Sequence, residues 1–391
     1  MRRPPQSAVA LITALAAASL AAAAPVASDL APLSNSTIQL VKARLADSAT
    51  DTWVGGTQMQ ALLEHDYPTL SVFSDASYPP TFENDPTEVI SIVSSWASKR
   101  SSDAKQLAYV SGGAAADPAA LGVGWLVAAA ARGAAGDEST EEKWISQVKE
   151  EVEYIINDVP KTSDGAISHR PASEPAQLWA DFMYMVPPVL AYYGVASNDA
   201  SLIEEAYSQC ALYRKYLKSS SGSWKHIVLG SGTDEGLWNT GNGWAAAGMA
   251  RVLATIVNSD FASTYTSEAL DLQDWINEIL VAAFTHIKKD GLLPNYYDSA
   301  SGSSFSDASG SALLAASAYR LATLNSTAVA SSTLADAAII RAAVNSKVDK
   351  SSGWVSPVVN PLSFKEQASE SPEGEAFVLL LEAAWRDYAL A

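Results

Sequence analysis

The chain has 391 residues and a formal charge of −18. That acidity excludes nucleic acid and anionic membrane surfaces as partners, and it sets a long-range repulsion against any anionic substrate. The single cysteine, Cys210, allows no intramolecular disulfide, so packing must hold the fold, and its helical context predicts a buried thiol.

The first segment, "MRRPPQSAVALITALAAASLAAAAP", places Arg2 and Arg3 before an apolar run and small residues. This pattern predicts a secretory signal peptide over residues 1–24, cleaved near Ala24, and hence a secreted, extracellular protein. The run is short for a membrane span, and no other segment reads as one. Residues 25–391 read as one domain, with length enough for a large core. Two sequons, Asn35-Ser36-Thr37 and Asn325-Ser326-Thr327, fit a secreted glycoprotein.

Further along, two kinds of helix alternate. Residues 139–158, 199–219 and 266–289 are charged and amphipathic, with apolar residues at helical spacing. Residues 117–134, 177–194, 241–256, 308–324 and 373–390 are apolar nearly all round and must be buried on all sides. Trp53, Asp117, Asp181, Trp244, Ser309 and Glu373 stand 63–65 residues apart, each near the start of an apolar helix. A period of that size fits a helical hairpin with its two loops, and six hairpins closed into a ring make an all-α (α/α)6 barrel. An open solenoid would need polar capping helices, whereas the last helix is apolar.

In such a ring the inner helices converge by their N-terminal ends on one mouth. Asp117, Asp181, Trp238, Trp244 and the serines near position 309 would face it. His169 and His226 would approach from Ser/Gly/Asp-rich loops, the kind of connection that carries function. Carboxylates, imidazoles and indoles suit acid–base chemistry on sugars. Neither a metal cluster nor an organic cofactor is indicated. Asp181 stands out, because it is hemmed by Trp179, Phe182 and Met183, and an unpaired buried carboxylate costs roughly several kcal/mol. Desolvation there is expected to raise its pKa and keep a fraction protonated in mild acid.

"QLWADFMYMVPPVLAYYG" resembles the Trp-x-Asp-x-x-x-Met-x-x-Pro-Phe signature of the unsaturated glycuronyl hydrolases, the glycoside hydrolase 88/105 group. "SWKHIV", "GLWNTGNGWAAAGMARVL", "DGLLPNYYDSASGSSFSDASGSALLA" and "SPEGEAFVLLLEAAW" extend the resemblance in order over roughly residues 80 to 390. The nearer similarity is to unsaturated rhamnogalacturonyl hydrolases, which act on pectin fragments. The resemblance implies the (α/α)6 barrel. It also implies removal of a 4,5-unsaturated uronic acid from the non-reducing end of an oligosaccharide made by a polysaccharide lyase. Asp181 would protonate C4 of the vinyl ether and then assist water at C5. Asp117 would hydrogen-bond the sugar, His226 would contact substrate, and Trp238 and Trp244 would wall the sugar subsite. His169 and Arg170 would stand beside them, in a protein expected to be monomeric.

One departure stands out. Relatives carry Trp-x-Arg-x-x-x-Trp where this chain has Trp238-Asn239-Thr240-Gly241-Asn242-Gly243-Trp244, so Thr240 holds the place of an active-site arginine. The lost bidentate contact would cost on the order of a few kcal/mol of binding to an anionic substrate unless Arg170 or Lys225 replaces it. The alternatives are a non-catalytic carbohydrate-binding protein on the same scaffold, expected to lack a cation at the site, and another (α/α)6 carbohydrate-active enzyme.

Overall fold

The computed structural model describes residues 31–74, 85–109, 113–171, 175–299 and 304–391. The segment read as a signal peptide lies outside them. Six inner helices form the ring: α2 (Thr52–His65), α4 (Gly122–Ala134), α6 (Phe182–Ala196), α8 (Asn239–Val257), α10 (Ala308–Leu324) and α12 (Pro372–Leu390). A 3-10 turn, Asp117–Leu121, leads into α4. Each inner helix packs on the next, and α12 returns to α2. The outer layer is α1 (Asn35–Ser48), α3 (Thr87–Lys99), α5 (Glu138–Asn157), α7 (Ala200–Leu217), α9 (Thr266–Phe284) and α11 (Ser331–Lys347). Outer helices cover the inner helices that precede them, while α1 covers α12 and so closes the second layer. The chain is an (α/α)6 barrel. Among the described residues no helix is long and apolar enough to cross a membrane.

The inner helices are buried on nearly every face, as their all-round apolar sequences require. Phe182, at the start of α6, stacks on Tyr213 of α7 at 4.3 Å between ring centroids. Burying a ring of that size stabilises the fold by about 1.5–3 kcal/mol. Cys210 is fully buried on the same outer helix, and burial pushes its thiol upward.

A local rule is broken in α6. Pro187 and Pro188 sit inside the helix and supply no N–H, so the carbonyls of Met183 and Tyr184 lose their intrahelical donors. The neighbouring helix compensates. Arg251 of α8 donates from Nη1 to the Tyr184 carbonyl at 3.1 Å. At Gly248 the α8 backbone runs so close that a Cβ there would lie 2.0 Å from the Met183 oxygen. Only glycine permits that approach.

Three short antiparallel ladders lie in the loops that enter inner helices. They are β1 (Leu178–Trp179) with β2 (Ile227–Val228), β3 (Leu293–Pro294) with β4 (Ser306–Asp307), and β5 (Val358–Asn360) with β6 (Ser363–Ala368). The first joins the loops that enter α6 and α8, and the other two are hairpins within the loops that enter α10 and α12.

Candidate active site

The mouth opens into a cavity of about 470 Å³. Five of the seven predicted site residues line it: Asp117, His169, Arg170, Asp181 and Trp238. Trp53, Trp96, Trp179 and Phe364 complete an aromatic wall. Tyr109 and Leu362 stand at the cavity largely exposed to solvent, at 88% and 73%.

Asp181 is positioned by two elements. It is the N-cap residue of α6, and it follows β1, whose Trp179 pairs with Ile227 of β2. Ala180 N–H donates to the His226 carbonyl at 2.9 Å, which brings the two loops together. His226 therefore stands directly behind the carboxylate, with Nε2 3.4 Å from Asp181 Oδ2 and Nδ1 3.2 Å from Asp234 Oδ2. The imidazole is 1% exposed and does not line the cavity, so it supports Asp181 instead of reaching a ligand.

This contact reverses an expectation. Burial alone would push the Asp181 carboxyl up. The imidazole of His226, 3.4 Å away, outweighs it and holds the carboxyl below the ordinary range. For His226, burial opposes the charge, but hydrogen bonds and attraction from Asp181 and Asp234 raise its pKa overall. Asp181 thus stands ionised against an imidazole whose proton the two carboxylates help to hold.

The raised carboxyl is Asp117. Burial, followed by the charge of Asp181, pushes it up to about 7, against a smaller pull from Arg170. It opens the 3-10 turn just before Pro118, and the N-cap position there is held by Ala116. It stands 3.6 Å from His169 Nε2. Burial lowers His169 to about 4, so between about pH 4 and pH 7 this contact joins two neutral groups. His169 stacks on Trp179 at 5.0 Å, and the Arg170 guanidinium lies 4.7 Å from the centre of that indole.

Trp238 contributes to the wall with its indole N–H donated to Asn295 Oδ1 at 3.0 Å. Trp244 does not. It lies six residues further along α8, 1% exposed, packed against Tyr184 at 4.6 Å and Phe377 at 4.8 Å, in the core of the ring. Thr240 is buried too, and its hydroxyl donates to Asp307 Oδ2 at 3.0 Å. Asp307 caps α10 through the Ser309 and Gly310 N–H groups and also accepts from Asn239 and the Val359 N–H. The residue at the arginine position thus serves a structural junction. Lys225 pairs with Glu235 at 2.5 Å and does not line the cavity, whereas Arg170 does.

Two cavity residues served the sequence reading only as spacing marks. Glu373, 3% exposed, accepts a hydrogen bond at Oε1 from Trp53 Nε1 at 2.6 Å, while its Oε2 has no partner. An acid in the first turn of a helix reads as a complement to the helix dipole, which hides any other role. Among the described residues no cluster of His, Cys, Asp and Glu side chains is arranged to hold a metal ion.

Solved structures similar to the chain include a possible glycoside hydrolase family 105 member from Salmonella enterica (17% identity, 90% of this chain and 93% of that one, TM-score 0.70). Another is the family 105 glycoside hydrolase of C. acetobutylicum (13%, 89% and 99%, 0.67). A third is the unsaturated glucuronyl hydrolase of Bacillus sp. GL1, described as responsible for glycosaminoglycan degradation (14%, 90% and 94%, 0.61). No curated protein sequence matches. The model of Glycosyl Hydrolase Family 88 matches residues 135–350, which hold Asp181, His226, Trp238 and Arg170. With more than half of its length matched, the chain belongs to Glycosyl Hydrolase Family 88 and is a glycoside hydrolase.

Proposed function

We propose that the protein removes a 4,5-unsaturated uronic acid from the non-reducing end of lyase-made oligosaccharides by hydrating the vinyl ether. The carrying observation is Asp181, ionised between His226 and Asp117 in an aromatic-walled cavity. A cavity of about 470 Å³ suits a terminal sugar, and flat indole faces suit its ring.

In the free cavity the proton available for catalysis rests on Asp117. An entering uronate displaces water and brings a second negative charge toward Asp181. Both effects raise the affinity of Asp181 for that proton. Asp181 then protonates C4, the C4=C5 pair forming the new C–H bond, and the ring oxygen stabilises the cation at C5. Water bonds to C5 and gives its proton to Asp181. The C5 hemiketal opens to a ketone, leaving a hemiacetal at C1 that expels the rest of the oligosaccharide as an alcohol. One water is consumed, and Asp181 ends holding a proton in place of the one it drew from Asp117, to which it returns when the product leaves. His226, 3.4 Å away, stabilises the carboxylate that Asp181 becomes between the two proton transfers.

The substrate class we assign is a pectin-derived, rhamnogalacturonan-type oligosaccharide, handled by a secreted monomer. The signature segments and the leader-like N terminus support this reading. Of the sequons, Asn35 is exposed at the start of α1, whereas the Asn325 amide donates to Gln273 Oε1 at 2.7 Å.

The test follows the ultraviolet absorbance of the conjugated uronate in unsaturated rhamnogalacturonan disaccharide. The mature protein should consume it, and Asp181→Asn should lower kcat by about 10²–10⁴-fold. The wild-type rate should fall as pH rises through about 7, where Asp117 loses its proton. Wild-type protein that leaves unsaturated galacturonyl and glucuronyl disaccharides unchanged would refute the reading.

A further inference from the structure

The acidic cavity poses a problem for an anionic sugar. Asp51, Asp117, Asp181 and Glu373 all line it, and Arg170 is its only Lys or Arg among the described residues. Thr240 brings no guanidinium, being committed to Asp307. A second donor beside Arg170 would offset that repulsion.

Glu373 has the geometry for it. The Trp53 indole occupies Oε1 as a donor, so a proton on this carboxyl belongs on Oε2. Oε2 is buried and meets no acceptor in the protein. A buried O–H without an acceptor is costly, and the cost is recovered when a ligand supplies one. A carboxylate is the best match, since it only accepts and forms the shorter, charge-assisted bond. We propose that Glu373 binds the carboxylate of the unsaturated uronate, donating a hydrogen bond from Oε2 as a protonated carboxyl where this chain lacks the arginine. This deepens the function proposed above and rests on it.

The surroundings keep that proton in place. Burial is the main force pushing Glu373 up to about 8, the Trp53 hydrogen bond pulls the other way, and the charges of Asp181, Asp307 and Asp51 add to the rise. An incoming anion adds to the same effect. Binding should therefore be complete below about pH 8 and lost above it.

The experiment measures binding and turnover separately. Calorimetric titration of an unsaturated uronosyl disaccharide into Asp117→Asn, Asp181→Asn protein, in which neither of these aspartates titrates, from about pH 6 to about pH 10, brackets the Glu373 value. Affinity should hold steady and then fall by about tenfold per pH unit once Glu373 ionises. Adding Glu373→Gln keeps an acceptor for Trp53 and a neutral donor toward the cavity. It should leave affinity within a few-fold at low pH and abolish the alkaline loss. In otherwise wild-type protein, Glu373→Ala should raise KM about tenfold or more while kcat changes little. An alkaline loss that persists in Glu373→Gln would overturn the proposal, as would an unchanged KM in Glu373→Ala or no binding at low pH. Binding that behaves as expected with no turnover by the wild type would instead overturn the proposed reaction and leave the carboxylate subsite standing.

Discussion

The C-terminal pole of the inner ring ties its acids to arginines, and the N-terminal pole does not. At the end of α2, Glu64 accepts from Arg320 Nε at 2.9 Å and from Gln60 at 2.6 Å, and Arg320 Nη1 reaches Asp387 at 2.6 Å. Arg386 donates to Asp387 and to the Glu64 and His65 carbonyls that end α2. Nearby on α12, Glu382 accepts from Arg341, Asn345 and the Leu33 N–H. At the mouth, Asp117, Asp181 and Glu373 face one cavity lined by Arg170. A paired buried acid is committed to the fold, since its charge is already balanced by an arginine. The mouth acids keep unfilled hydrogen-bonding capacity and shifted proton affinities, the state a ligand can complete.

Breaking the paired pole should cost most. Arg320→Met leaves Glu64 buried without its cation and should lower stability by about 3–5 kcal/mol in chemical denaturation. Turnover per folded molecule should be unchanged, because Arg320 lies outside the cavity. At the mouth the same kind of deletion should act in reverse. Asp117→Asn removes a carboxyl that must ionise against burial above about pH 7, so the variant should gain on the order of 1–3 kcal/mol at pH 8. It should also lose the fall in rate near pH 7. A destabilised Asp117→Asn protein at pH 8 would show that this acid is structural, like Glu64.

Between these comes a change at the α6–α8 seam. Gly248→Ala drives a methyl against the Met183 carbonyl, which is backbone and cannot rotate away. It should cost about 1–3 kcal/mol by melting, and it should lower kcat too, since α6 carries Asp181 at its N-cap.

How much of this was legible depends on how far apart the interacting residues lie. The barrel was legible because burial on all faces leaves a local trace, an apolar helix without a polar stripe, repeated at one spacing. The outer helices α1, α3 and α11 left less. "SSTLADAAIIRAAVNSK" is rich in small residues and carries little charge contrast. Residues 177–181 read as helix yet form β1 and the approach to α6, because the ladder with Ile227–Val228 is a long-range choice. At the site, residue types were legible but their charge states were not. The apolar neighbours of Asp181 suggested a raised carboxyl. The opposing imidazole comes from a loop between β2 and α7 that only the fold brings near. Trp238 and Trp244 share one segment, and sequence alone cannot say which indole faces the cavity and which the core. Glu373 showed only its place in the repeat, since its significance lies in the unfilled Oε2 and the Trp53 contact across the ring closure.

The smallest effect expected of any single group becomes measurable when the unpaired acids act together. Burial raises Asp117 to about 7 and Glu151, Glu373 and Glu375 to about 8. In the unfolded chain such groups titrate at about 3.9–4.3. Between those limits the folded protein holds more protons than the unfolded one, so stability falls as pH rises. His226, raised by its two carboxylates, adds to the same trend. His169, lowered to about 4 by burial, works the other way below about pH 6.5, as do the depressed Asp181 and Asp234 in stronger acid. Maximum stability should therefore fall in mild acid, with Tm near pH 8 lower by roughly 5 °C than near pH 5. Glu375 gives the cleanest single check. Its Oε1 accepts from the Val355 N–H at 2.7 Å, a contact glutamine can keep, while its Oε2 has no partner. Glu375→Gln should leave Tm nearly unchanged at pH 5 and raise it by roughly a degree or two at pH 8. An equal shift at both pH values would mean that Glu375 acts through packing and that the pH slope has another source.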